Sequence, residues 1–200
     1  MKKIIIAMMV VTIFMVLQVN QGIAAVSNIS ELVEGALMPK IIEPALTERG
    51  IALGTGALPQ GFSSDLVKEL EKQYGNLPDF ASKAIQDPQT VLKAIHDTAE
   101  KLLGKNLPQF DEKAFRAILV DEGLVKVTPA EIKGIVIPKI TTDPNASGQE
   151  IADYVVNKLK ERGIDEQLAC DLAERWAKES KDAKTLLGEK INGFLSAIGD

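Results

Sequence analysis

The sequence has few of the side chains from which metal and redox centres are usually built. Its 200 residues include one cysteine, Cys170, and one histidine, His96. Structural zinc, haem and iron–sulfur centres need several such ligands, so a single chain cannot assemble one of the usual kinds. Carboxylate sites for calcium or magnesium stay open, although no Asp-rich loop with calcium-loop spacing is present. We therefore expect no metal ion and no other cofactor.

Basic clusters and aromatic clusters are missing as well. The formal net charge is −5, from 23 Lys and Arg against 28 Asp and Glu, and no basic run or stripe occurs. Nucleic-acid affinity depends on Lys and Arg that neutralise phosphates, so we expect no nucleic-acid partner. Aromatic residues are too scattered to support a sugar-binding platform. With 46% hydrophobic residues, the chain can form a core in one domain or in two small packed units.

Residues 1–25 have the pattern of a secretory signal peptide. Lys2 and Lys3 form a positive start, an apolar run follows, and Ala24 and Ala25 are small enough for a signal peptidase. The alternative is an uncleaved membrane anchor, but an apolar run of about 16 residues is short for a span of roughly 20. We expect a mature chain in the periplasm or outside the cell, which contacts a membrane only if this segment stays uncleaved.

One seven-residue pattern occurs twice. The segment 35–41 reads Gly-Ala-Leu-Met-Pro-Lys-Ile, and the segment 134–140 reads Gly-Ile-Val-Ile-Pro-Lys-Ile. Further along, Asp87-x-x-Thr90 is matched by Asp182-x-x-Thr185. Repetition at a long interval indicates a duplicated structural unit. Chance similarity between two sets of amphipathic helices is the alternative.

Hydrophobic spacing predicts an all-α protein made of two four-helix units. Apolar residues recur at helical spacing through most of the chain. Asn28, Thr128 and Ser147 each stand three residues before a Glu, in the pattern of a helix-starting capping box. The predicted organisation is a signal peptide at 1–25, helical unit 1 at 26–105, a connecting helix at 106–127 and helical unit 2 at 128–200.

Pro39 and Pro138 fall inside the predicted helices. Proline has no amide donor and crowds the preceding turn, so we expect each to kink or end its helix. In the second unit a short strand at 135–140 is the alternative, because the segment is also compatible with an extended backbone.

A Gly-rich loop at 50–61 is the main element of unit 1 that unit 2 lacks. It does not have the Lys-Ser or Lys-Thr of a phosphate loop. One interpretation is a flexible connection that packs Ile51, Leu53 and Leu58 onto the core. Our functional hypothesis is that Gly54, Gly56 and Phe62 lie at or beside the surface that meets a ligand or partner, because insertions in repeats usually map to surface loops.

Two lysines are the other candidate binding residues. Lys40 and Lys139 follow the two prolines of the repeated pattern, and the alternative for each is a helix-end lysine near free carbonyl groups. Carboxylates such as Asp171 and Glu174 alternate with basic residues at helical spacing, as on a solvated helix face. No catalytic residue is identified.

Three functions remain on this basis. The first hypothesis is an exported, soluble helical binding or interaction protein without catalytic activity, whose partner is a protein or a small apolar ligand. The second is an exported hydrolase with carboxylates in a cleft between the two halves. The third is a carrier that holds an apolar ligand between two facing helix sets.

Overall fold

The protein is all-helical, as predicted. The computed structural model describes residues 26–50 and 58–199, and no strand occurs in these two ranges. The helices are α1 (Ile29–Leu32), a π-helix (Val33–Ile42), α2 (Glu43–Glu48), α3 (Phe62–Tyr74), α4 (Leu77–Gln86), α5 (Pro88–Leu103), α6 (Glu112–Asp121), α7 (Pro129–Thr142), α8 (Gly148–Lys160), α9 (Glu166–Glu179), α10 (Lys181–Leu187), a 3₁₀ turn (Gly188–Lys190) and α11 (Ile191–Ile198).

Side-chain caps start most of these helices. Thr128 and Ser147 form complete capping boxes, in which each hydroxyl accepts from the amide three residues on and the Glu there accepts from the cap amide. At Asn28 only half of the expected box forms, because Glu31 accepts from the Ser27 amide instead. A cap satisfies amides that the first helical turn leaves without partners, so these residues set where the helices begin.

The helix through Pro39 does not end there. It widens into a π-helix, in which the amide of Glu43 donates to the carbonyl of Met38, five residues back. Six of the ten π-helical side chains are buried, and the segment packs against α1, α2, α3 and α6. The chain thus passes Pro39 in a wider helical turn, with most of the segment packed in the core.

The second copy of the pattern forms an ordinary α-helix. Helix α7 runs through Pro138 to Thr142, so the strand alternative at 135–140 was wrong. Only Ile132, Ile135 and Val136 are buried in it. Ile140 is partly buried against the core, and Pro138 itself is exposed.

The order of elements agrees with two similar units, although the last helix differs. Each predicted unit begins with a helical stretch that contains the proline, which is α1 to α2 in unit 1 and α7 in unit 2. Three more helical segments follow in each. In unit 1 the fourth is the unbroken α5, capped by Asp87; in unit 2 it is divided into α10 and α11 by a turn at Gly188. Asp182 does not cap and pairs instead with Lys133. Duplication stays a prediction.

Helices α8 and α11 approach each other closely. A Cβ added to Gly148 would lie 2.1 Å from the Lys190 carbonyl oxygen and 2.4 Å from the Phe194 amide nitrogen. Those atoms belong to the backbone of the α11 region and have little room to move. Glycine at this position therefore allows α8 and α11 to touch.

Direct contacts join α9 to α4 and to α6. The amide of Asp165, at the start of α9, donates to the carbonyl of Ile85 at the end of α4. On the other side, Arg116 of α6 bonds to Asp171 of α9. Within 26–50 and 58–199, no helix is both long enough and apolar enough to cross a bilayer.

Candidate functional site

An apolar groove lies where the two halves meet, and we call it the junction groove. Its volume is about 560 Å³. It is lined by residues from the start of the described chain, from α4, from the α6–α7 connection and from the turn after α8: Val26, Ser27, Leu77, Pro78, Ala81, Ser82, Ile85, Gln86, Gly123, Leu124, Lys126, Arg162 and Gly163. The groove therefore draws on both units and on the connecting segment.

Helical spacing produces one wall of the junction groove. Leu77, Ala81 and Ile85 of α4 are four residues apart, so they share one face of the helix. Leu77 and Ala81 are each 8% exposed, and Ile85 is partly buried. These side chains form an apolar strip that remains within reach of solvent along two helical turns.

A left-handed glycine builds the opposite wall. Gly123 ends α6 with φ 68°, a conformation that favours glycine. The chain then folds back, so that the amides of Leu124 and Val125 both donate to the carbonyl of Leu119. This turn brings the Leu124 side chain to the groove and leaves Lys126 at its rim.

Both charged residues that line the junction groove are basic. Lys126 is exposed and forms no ion pair within the described residues. Arg162 is 3.4 Å from Glu131, whose other carboxylate oxygen accepts from the Thr128 amide. That backbone hydrogen bond is the main cause of the lowered pKa of Glu131. The rim therefore presents positive charge beside an apolar floor.

A second apolar groove surrounds Trp176. Its volume is about 580 Å³, and it is lined by Val120, Val127, Pro129, Ile132, Leu172, Arg175, Trp176, Glu179 and Ser180. Arg175 is engaged by Asp121 at 2.6 Å and by Glu179 at 3.3 Å, so its charge is balanced. The indole Nε1 of Trp176 is buried without a hydrogen-bond acceptor within the described residues.

A polar cleft of about 420 Å³ contains paired carboxylates, but an arginine lies between them. The Nη1 of Arg116 donates to Glu112 at 2.7 Å, and its Nε donates to Asp171 at 2.6 Å. Arg116 is 7% exposed. Because both carboxylates are neutralised by a buried cation, the pair acts as a tie between α6 and α9 and not as a free acid and base.

His96 closes a loop against α5. It is buried, and its Nε2 lies 3.0 Å from the carbonyl oxygen of Pro108. Glu100 accepts from the amide of Leu107 at 2.7 Å in the same loop. Together with His96 and Glu100, Asp97 forms a group whose side-chain atoms are close enough to one another to bind a metal ion. Since two of the three side chains already hold the loop, a cation would have to compete with those hydrogen bonds.

The two predicted binding lysines have different partners. Lys40 bridges the π-helix to Glu122 at 3.1 Å, whereas Lys139 pairs with Asp143 of its own helix at 3.2 Å. The structure brings neither to the junction groove. Their equivalence in the sequence therefore does not extend to their contacts.

The other predicted binding residues lie in or beside the Gly-rich loop. Gly54 and Gly56 are outside the described residues. Phe62 is the first residue of α3 and is only 3% exposed, so its ring packs in the core. Leu58 also packs against the core, as the packing interpretation expected. A buried ring does not offer a contact surface, so Phe62 does not enter the functional proposal.

Cys170 is partly buried on α9. Burial is the main cause of its raised pKa, and the nearby Glu166 and Asp171 raise it further. A thiol with a raised pKa is poorly ionised near neutral pH and is therefore a weak nucleophile.

We did not identify the residues of the junction groove from the sequence. The available signal was the apolar stripe of α4. Whether a stripe is covered depends on distant segments, here the turns at Gly123 and Gly163, and spacing alone does not define their positions.

Comparisons with known proteins returned no relative. No protein-family model matches the chain, and neither the curated proteins nor the solved structures include a match. The functional argument therefore depends on the geometry of the chain itself.

Proposed function

We propose that this chain is an exported, soluble helical binding protein without catalytic activity, and that it binds its partner or ligand in the junction groove. The observation that carries the proposal is the apolar floor at the meeting point of two units, open to solvent and bordered by polar groups. Ligand sites are concave, mostly apolar and often placed at such boundaries.

The volume and shape of the groove support binding of an apolar ligand. About 560 Å³ falls within the range of roughly 300–1,000 Å³ that small-molecule sites occupy. An apolar occupant would cover the exposed part of Ile85 and the small exposed fraction, 8% each, of Leu77 and Leu124. Burial of apolar surface stabilises a complex by about 25 cal/mol per Å² before the costs of association.

The hydrolase alternative receives less support from the geometry. Acid–base catalysis by carboxylates needs groups whose environments set their pKa values apart and whose oxygens can reach a substrate. In the polar cleft, Glu112 and Asp171 both use an oxygen to bind Arg116. We therefore favour binding over catalysis.

Binding in the junction groove is tested with a neutral fluorescent probe, N-phenyl-1-naphthylamine. We expect its emission to rise with the purified protein. Ser82→Phe should weaken this binding at least fivefold, because an exposed groove residue gains a ring that fills the site; a loss of about 1 kcal/mol corresponds to that factor. Lys83→Phe is the matched control, since Lys83 is exposed on the same helix but does not line the groove.

Two results would contradict the site. One is no probe binding by the unmodified protein, and the other is equal weakening by both variants. Export is tested separately by mass spectrometry of secreted material, which should show an N-terminus near residue 25 or 26. Retention of Met1 in that material would remove the cleavage proposal.

A further inference from the structure

The charge around the junction groove is opposite to that of the chain as a whole. The protein carries a formal charge of −5, yet the charged groove residues are Lys126 and Arg162. The Trp176 groove shows the contrast, because Arg175 is held there by two carboxylates. One unpaired cation, Lys126, and one weakly paired cation, Arg162, beside an apolar floor favour a ligand with an apolar body and a negative end.

Neither cation is fully used by the protein. Lys126 has no ion-pair partner among the described residues, and it is exposed. Arg162 makes one long contact, 3.4 Å from its Nη1 to Glu131. A guanidinium has five N–H donors, so most of its hydrogen-bonding capacity remains available. Each of the two cations can therefore bind a carboxylate without breaking a strong contact.

The apolar strip gives the length of the ligand. From Leu77 to Ile85 the helix advances about 12 Å, which is the scale of a medium-length acyl chain. The volume of about 560 Å³ also matches a small molecule.

We infer that the junction groove binds a small amphipathic carboxylate of the medium-chain fatty-acid class, with the acyl chain on the α4 strip and the carboxylate at Lys126 and Arg162. This inference rests on the proposed function, because it assigns the ligand of the same groove. The carboxylate supplies orientation, and the acyl chain supplies most of the affinity.

The test is displacement of N-phenyl-1-naphthylamine by decanoate and by decanol. Lys126→Gln should weaken decanoate about fivefold, the upper end for an exposed ion pair, and should leave decanol unchanged. The double variant with Arg162→Gln should weaken decanoate further. Raising the salt concentration should also weaken decanoate alone, because exposed charges are screened.

Lys101→Gln is the control for net charge, since Lys101 is exposed on α5 and does not line the groove. It should change neither competitor. Melting curves of all variants check that the fold is retained.

The outcomes separate the two proposals. If the probe binds and Ser82→Phe blocks it, but Lys126→Gln and the double variant leave decanoate unchanged, the groove binds and the carboxylate assignment is overturned. Equal weakening of decanoate and decanol binding would overturn it too, because loss of shape and not of charge would be the cause.

A leucine-rich peptide with a free C-terminal carboxylate is a further competitor. Displacement of the probe at a lower concentration of peptide than of decanoate would overturn the fatty-acid assignment and assign the groove to a peptide instead.

Discussion

The two copies of the Gly-x-x-x-Pro-Lys-Ile pattern adopt different helices. In unit 1 the pattern lies in the π-helix, where six of ten side chains are buried. In unit 2 it lies in α7, where three of fourteen are buried. Pro39 and Pro138 are both exposed, so the prolines themselves have similar surroundings. The difference follows the packing on the other sides of each helix.

This comparison shows that the packing around a sequence pattern affects the backbone conformation that the pattern adopts. A helix packed against α1, α2, α3 and α6 has to present apolar side chains in several directions, and the wider π turn is one way to do so. Helix α7 has one buried face and retains the regular repeat. The same local pattern therefore has two backbone solutions, and the tertiary environment selects between them.

The largest expected effect comes from breaking the helix contact that is specific to unit 2. Gly148→Ala should reduce the free energy of unfolding by about 3 kcal/mol, because the new methyl group meets backbone atoms that cannot move aside. Gly134→Ala is the matched control, since its Cβ would meet nothing within 4 Å. That control should be neutral or stabilising by up to about 1 kcal/mol. Urea unfolding measures both, and a tolerated Gly148→Ala would show that α8 and α11 are not tightly packed.

The next effect concerns the link between the connecting helix and unit 2. Arg116→Met should cost about 2 kcal/mol, because it leaves two carboxylates together without their cation. We expect less than the roughly 3–5 kcal/mol of a fully buried pair, since the carboxylates are partly exposed. Arg175→Met is the control on the same two helices; its pairs are at the surface and should contribute about 0–1 kcal/mol. If urea unfolding shows that both variants lose the same unfolding free energy, the distinction between the buried Arg116 and the surface Arg175 is contradicted.

A smaller effect sharpens the comparison of the two prolines. Pro138→Ala gives α7 an amide that can donate to the carbonyl of Gly134, so we expect a gain of about 1 kcal/mol. Pro39→Ala should gain less, because burial and not the proline maintains the π pattern. Chemical denaturation gives the two values, and hydrogen exchange at Glu43 reports its bond to Met38. A larger gain at Pro39 would mean that the proline imposes the π-helix.

The smallest effect is a dependence of the helix starts on pH. Backbone donation from Ser147 lowers the pKa of Glu150 in the folded protein. Because the pKa of Glu150 is lower in the folded than in the unfolded protein, its ionised carboxylate stabilises the fold at pH values above the unfolded pKa. This stabilisation is lost as the pH falls through the folded pKa. Glu150→Gln should therefore reduce stability at pH 7 slightly and make no difference at pH 2. A difference of the same size at both values would show that the carboxylate charge is not involved.

Local signals predicted the helix starts well. The three-residue spacing from Thr128 to Glu131 and from Ser147 to Glu150 identifies capping boxes, and both are present. Such contacts span one turn, so neighbouring residues contain all the necessary information. The placement of Phe62 shows the opposite case: it was expected at or beside a binding surface because it adjoins the Gly-rich loop, and its ring is 3% exposed, which depends on distant segments.

The sequence by itself determined the all-helical class, because apolar periodicity and caps act within a few residues. Only the tertiary structure decided that the first repeat is a π-helix, that Arg116 neutralises two carboxylates, and that an apolar strip of α4 lines a groove. Each of these depends on contacts between residues far apart in the chain. The junction groove is a property of the space between those segments, and sequence periodicity contains no measure of that space.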